Sequence, residues 1–334
     1  MSGSALLPRR AKGLPRPGVA DVRAAYRLLL NREPEDRGVL ERHAAQAESF
    51  EALARWFLGS EEFAARQIVR PSTHTPLAPG RLEVEVAASA AQLDAMLRRT
   101  GDYWARIGAE APHWSVITHD AYRPENIAET RDAFYTGGAQ EAALVPALLK
   151  RHGVLPAALA RCLEFGCGVG RVTLALVGQF PQVVGCDVSE PHLALARQEA
   201  EARGVGNIAW HRSTPDRLMP QGRWDLWFSR LVLQHNPPPV IAHLLRLAFA
   251  GLAPGGLAIF QVPTHCNGYR FSVAGYLAET KPATMEMHPL PQAHVFALAA
   301  QAGLDVLEVR EYALADNDPS AWLSNLFVLR RPAG

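Results

Sequence analysis

Cysteine is scarce in this chain: four residues in 334, at positions 162, 167, 186 and 266, none paired as CxxC. That argues against a disulfide framework and a thiolate zinc site. Three of the four fall in or beside apolar strand-like runs, so they read as reduced core thiols of a cytoplasmic protein. An excess of charge is also missing. The 34 basic and 33 acidic residues leave +1, too little to draw nucleic acid or an anionic membrane. No apolar run approaches the ~18–20 residues of a membrane span. The opening MSGSALLPRR lacks the ~7–15-residue apolar core of a signal peptide. The twelve histidines form no HExxH and no close carboxylate cluster, so no metal site is expected. No solenoid-period repeat is present. What the chain does have is 48% apolar residues, enough for a sizeable core.

Residues 1–18 read as a disordered tail, where Pro8, Pro15 and Pro17 break up Arg9, Arg10, Lys12 and Arg16. Residues 19–70 read as a small all-α domain. Val22, Tyr26, Leu29 and Leu30 share one helical face, and Ser49 caps a helix carrying Phe50, Leu53, Trp56 and Phe57. Ser60 opens a last helix with Glu61 and Glu62 in its first turn. Residues 71–80, PSTHTPLAPG, read as a linker. Residues 81–150 read as a helical lid or extension of the larger domain C-terminal to them. In it, Gly137 and Gly138 precede the helix AALVPALLKRHG.

Residues 151–334 alternate strand and helix. RCLEF, QVVGCD, NIAWH, WDLWFS and GGLAIFQVP read as strands, near-continuously apolar as a parallel sheet buried on both faces requires. LDVLEVREY and WLSNLFVLRR have no helix between them and read as an antiparallel pair at the edge. The fold expected is α/β: a Rossmann-like doubly wound sheet of seven strands with an antiparallel edge strand.

The stretch LEFGCGVGR sits at the first strand's exit, where a doubly wound sheet holds its ligand. Gly166, Gly168 and Gly170 let backbone amides approach that ligand and permit positive φ. A dinucleotide loop would read GxGxxG; here the third glycine comes one residue early. Asp187 ends the second strand, placed to accept from two ribose hydroxyls. Glu164 precedes the glycines and would repel a pyrophosphate, so it suits a ligand with a cationic group.

LEFGCGVGR, VVGCDVS, RWDLWFSRLVLQH and LAPGGLAIFQVP together, in this order, resemble the motifs of class I S-adenosylmethionine-dependent methyltransferases. The resemblance implies S-adenosyl-L-methionine as cofactor. Its methionine end would lie over Glu164, Gly166, Cys167, Gly168 and Gly170, its ribose on Asp187, and its adenine between Val188 and the loop after the third strand. In that loop Thr214 stands where many relatives carry an acid, with Asp216 as the alternative. Ser229 closes the fourth-strand motif, and Tyr135 in DAFYTGG could reach the methionine end; both join the expected cofactor set. His235 and His265 follow the fourth and fifth strands and are the candidates for base or positioner of the methyl acceptor. His288 and Glu286 lie in an insertion before the last helix that reads as a packed lid.

AYRLLLNREPEDRG and FLGSEEF resemble a bacterial family called domain of unknown function 4214, itself similar to phycobilisome-linker modules. That resemblance implies docking, with a protein partner reached through residues 21–70. The combination is similar to bacterial chains associated with surface-polysaccharide assembly, which suggests a sugar hydroxyl as acceptor; a small metabolite or lipid is nearly as good a fit. Two alternatives stay open: a non-catalytic cofactor-binding scaffold, and aminopropyl transfer, for which Arg230 and His235 stand where acids are needed.

Overall fold

The computed structural model describes residues 16–65, 82–280, 284–312 and 322–333. The expected linker 71–80 and most of the expected tail lie outside these. The chain divides into two compact units, Met1–Ser72 and Thr73–Gly334. Among the described residues no helix is long and apolar enough to cross a membrane.

The first unit holds α1 (Val19–Leu30), α2 (Arg37–Gln46), α3 (Phe50–Leu58) and α4 (Glu61–Ala65). Each start has a local cause. Asp36 accepts from the Val39 amide at 2.8 Å and Ser49 from the Ala52 amide at 3.1 Å, satisfying amides a helix start leaves open. Asn31 ends α1 in the left-handed region, φ 46°. Val22, Tyr26, Leu30, Leu40, Leu53, Phe57 and Phe63 form the core. Trp56, expected on the apolar face, is 42% exposed. Arg32 clamps Glu62 through two hydrogen bonds, at 2.6 and 2.8 Å.

The second unit begins with β1 (Glu83–Val84), α5 (Ala90–Glu110), α6 (Pro112–Val116), α7 (Ile127–Ala142) and α8 (Leu144–Arg151). The helix expected in AALVPALLKRHG is α8, but Gly137 and Gly138 before it sit inside α7 rather than at a break. Then come β2 (Arg161–Phe165), α9 (Thr173–Leu176), β3 (Gln182–Asp187), α10 (Glu190–Ala202), β4 (Ile208–Arg212), β5 (Trp224–Ser229), α11 (Pro238–Ala250) and β6 (Leu252–Cys266). β7 (Arg270–Phe271), α12 (Val273–Ala278), α13 (Gln292–Gln301), β8 (Asp305–Glu311) and β9 (Trp322–Arg330) complete it.

Seven strands form one sheet in the order β4-β3-β2-β5-β6-β9-β8; β1 and β7 form a separate parallel pair that no sequence signal announced. β2 to β6 run parallel, and β9 runs antiparallel between β6 and the outermost strand β8. Alternate residues feed two cores. In β5, Trp227 joins Met96 of α5 and Phe249 of α11 on one face. Leu226 and Phe228 join Leu148 of α8 and Leu176 of α9 on the other. Both faces of β5 are covered, which is why the central strands are apolar at most positions. The chain travels outward through β3 and β4, then returns to β5 beside β2. That reversal leaves a crevice at the carboxyl ends of β2, β3 and β5.

Candidate active site

The loop after β2 is bent by three left-handed glycines: Gly166 at φ 78°, Gly168 at 52° and Gly170 at 77°. Space compels the first two as well. A Cβ on Gly166 would lie 2.3 Å from a Val232 methyl, and one on Gly168 2.7 Å from a Val116 methyl. The loop is fastened to β3: the Gly166 and Cys167 amides donate to the Cys186 carbonyl at 2.7 and 3.0 Å. The Gly168 amide donates to Asp187 Oδ2 at 2.8 Å, and the Ser189 amide to Oδ1 at 2.9 Å. Each Asp187 oxygen keeps a lone pair for a ligand.

A cavity of about 600 Å³ opens over this loop. Of the expected cofactor residues, Glu164, Gly166, Cys167, Gly168, Asp187 and Val188 line it. Glu164 is 6% exposed and accepts a hydrogen bond from the Thr173 hydroxyl. Burial pushes its carboxyl up to about 8, against the pull of that bond and of Arg171. A cation in the cavity would restore its charge.

Four expected cofactor residues do not line it. Gly170 packs beneath the loop, its missing Cβ 3.1 Å from Ala196 and Trp210. Tyr135 is buried under the loop and donates to the Val169 carbonyl at 3.4 Å. Ser229 turns inward and donates to the Phe165 carbonyl at 3.0 Å, while its neighbours Phe228 and Arg230 face the cavity. Thr214 pairs with Arg217 in a tight turn and hydrogen-bonds Asp216; the preceding Ser213, with Leu218, lines the cavity instead.

The histidines separate. His235 lines the cavity 5.2 Å from the Trp104 ring of α5. Its Nδ1 bonds the Glu286 carbonyl at 2.9 Å. A carbonyl only accepts, so Nδ1 carries the proton and Nε2 is the acceptor, here of a long hydrogen bond from the Gln234 side-chain amide at 3.4 Å that a ligand hydroxyl would replace. Burial lowers the ring to about 4, which keeps it neutral near pH 7. His265 does not face the cavity. β6 runs on past it, paired to Leu323, and its Nε2 meets Asn267 Oδ1 at 3.0 Å. The insertion packs on the cavity rim: the His288 amide donates to the Gln234 carbonyl at 2.7 Å, and Met285 and Met287 line the cavity.

Sequence reasoning missed several wall residues. Trp104 lies on α5, in the stretch 81–150 that reads only as a helical lid or extension. Leu231, just after β5, holds φ 59° although it is not glycine. Its amide donates at 2.9 Å to Gln261, a fully buried β6 side chain that also donates to Ser324. A strained residue fixed by a buried amide at a cavity wall is a functional signal, visible only in the backbone.

Residues 162–256 match a family described as a methyltransferase domain. A trans-aconitate 2-methyltransferase of Methylobacterium nodulans is 37% identical over 109 residues, 32% of this chain and 40% of that protein. A ubiquinone biosynthesis O-methyltransferase of Ruegeria pomeroyi is 27% identical over 179 residues, 50% of this chain and 67% of that one. The chain thus spans between two fifths and two thirds of these curated relatives. Among solved structures, magnesium protoporphyrin IX methyltransferase from Synechocystis PCC 6803, with bound SAH, superposes with a TM-score of 0.49 at 20% identity, covering 71% of this chain and 99% of that one. The segment that matches the methyltransferase-domain family is the one that builds the glycine loop and the first strands of the sheet.

Proposed function

We propose that this protein is an S-adenosylmethionine-dependent methyltransferase acting on a small-molecule hydroxyl. One observation carries the reading: a glycine loop, a buried carboxyl and a strand-end carboxylate line a single cavity. The cofactor is S-adenosylmethionine, which supplies a methyl group already activated by its sulfonium. Asp187 accepts from the ribose hydroxyls on the lone pairs its backbone bonds leave open. Glu164 answers the cationic amino-acid end. Val188 and Leu218 hold the adenine between them, with Ser213 beside it.

The acceptor meets the opposite wall, where Trp104, Met285 and Met287 exclude water. His235 Nε2 accepts the acceptor's hydroxyl proton in a hydrogen bond and aims the oxygen. So weakly basic a ring works mainly by orientation, which alone can supply several kcal/mol, up to ~7–11. Gln234, buried on the same wall with an unpartnered Oε1, offers a second contact. The acceptor is a metabolite or sugar precursor. The sugar form rests on the N-terminal resemblance alone, and the relatives are named for trans-aconitate and for ubiquinone biosynthesis. A protein partner for residues 21–70 is consistent with Leu28 and Leu58, exposed there at 77% and 48%.

Transfer of labelled methyl from S-adenosylmethionine to low-molecular-mass extract fractions tests the activity. Label should enter a small molecule with the wild type and not with Asp187→Ala. Cofactor binding without label transfer to any fraction would favour the non-catalytic scaffold.

A further inference from the structure

A second hollow of about 550 Å³ lies beside the donor cavity, and Ile117, Glu141 and Arg171 line both. One ion-paired cluster stands where the two meet. Glu141 of α7 accepts from Arg171 with one carboxylate oxygen and from Arg230 with the other. Gly137 and Gly138 make the room. A Cβ at Gly138 would lie 2.2 Å from the Arg171 carbonyl oxygen, and one at Gly137 3.2 Å from its guanidinium. Arg171 is 6% exposed, its guanidinium 5.5 Å from the Phe134 ring centroid, and its Nε has no hydrogen-bond partner. Arg230 is steadied by Tyr312, whose hydroxyl accepts from its Nε at 2.9 Å.

Two guanidinium groups here share one carboxylate. Glu164 does not balance them: burial keeps it largely protonated at neutral pH without ligand, and with the donor bound its restored charge is matched by the donor's ammonium group. A buried guanidinium with an unused donor is costly to keep, and the planar fork is built for a carboxylate. Glu141 is 22% exposed on its side chain, free enough to turn toward solvent.

Building on the methyltransferase reading, we propose that the outer hollow admits the acceptor, and that the acceptor carries a carboxylate which displaces Glu141 from Arg171 and Arg230. Glu141 then holds the seat until the acceptor arrives.

The test uses the full chain saturated with S-adenosylhomocysteine, at constant ionic strength, with succinate as probe and neutral succinamide as control. Succinate should raise the melting temperature of the complex and succinamide should not. The rise should be larger in Glu141→Gln, which frees both arginines. It should shrink in Arg230→Lys and vanish in Arg230→Met, with the response to S-adenosylhomocysteine kept in both. Succinate acting no better than succinamide, or no better on Glu141→Gln than on wild type, overturns the inference. So does loss of the S-adenosylhomocysteine response in Arg230→Met, which would give the arginines to the donor's own carboxylate. If S-adenosylhomocysteine leaves the wild type itself unmoved, the donor reading falls first, which separates the two failures.

Discussion

The two walls of the cavity are built differently. The donor wall comes from one short stretch, Glu164 to Gly168, with Asp187 and Val188 at the end of the next strand. Its shape is held by backbone: left-handed glycines, amides on the Cys186 carbonyl, and an amide on Asp187. The facing wall gathers Trp104 from α5, Glu141 from α7, His235 from the turn after β5 and Met285 from the insertion. Its shape is held by side chains and ion pairs. A wall made of backbone serves one constant ligand; a wall of side chains from distant elements can change with the acceptor while the sheet stays as it is.

Substitutions on the two walls should therefore fail in different ways. The largest effect is expected from Gly166→Ala. The new methyl group would meet Val232, and a left-handed alanine costs ~1–3 kcal/mol of strain. Binding of S-adenosylhomocysteine, by titration calorimetry, should fall more than ~10²-fold, because the overpacked methyl adds ~1–3 kcal/mol to that strain. Unchanged affinity would mean that the loop's shape is not what holds the donor.

Next in size is His235→Ala. Turnover should fall ~10²-fold, toward the low end for a positioned proton acceptor, with donor affinity nearly intact. Because burial lowers the ring to about 4, the wild-type rate should show no inflection from this group between about pH 6 and 8. A lost donor affinity would move His235 to the donor wall and blur the contrast.

The smallest effect is the subtlest. The Glu164 carboxyl is raised from 4.5 to about 8 in the folded protein. Its stabilising contribution is complete below pH 4.5 and is lost as pH climbs through 8, since the unfolded chain ionises first. Glu164→Gln removes that loss. The unliganded variant should melt above wild type by a few degrees near pH 8, and by less near pH 5. Wild-type donor affinity should rise over the same window, because a cationic ligand favours the ionised carboxyl, and the variant should lose that rise. A pH-independent difference in melting temperature would contradict the buried protonated carboxyl.

The same contrast governs what could be read from the sequence. The parallel strands were legible because burial on both faces leaves nearly continuous apolar runs, as Leu226–Phe228 in WDLWFS. The glycine loop was legible because the residues that shape it are contiguous in the sequence. Errors came where direction mattered. Ser229 and Thr214 each sit one residue from a side chain that faces the cavity, and along extended chain one step reverses the face. Tyr135 and Gly170 were expected at the cofactor's methionine end; Tyr135 is buried against the Val169 carbonyl and Gly170 packs on Ala196 and Trp210. Gly137 and Gly138 looked like a helix boundary; they are the groove in which Arg171 lies, a contact no local pattern announces. For Trp104, Glu141 and Met285 the sequence held no signal, because only the tertiary fold brings them together.

The central claim is that the loop after β2 and the carboxylate ending β3 hold S-adenosylmethionine. Thermal melting with S-adenosylhomocysteine tests it most directly, wild type beside Asp187→Ala. At ~100 times the dissociation constant the ligand should stabilise wild type by ~2.7 kcal/mol, raising its melting temperature by roughly 5 °C. Asp187→Ala should show little or none of that rise. No rise in the wild type, or an equal rise in both, would contradict the account.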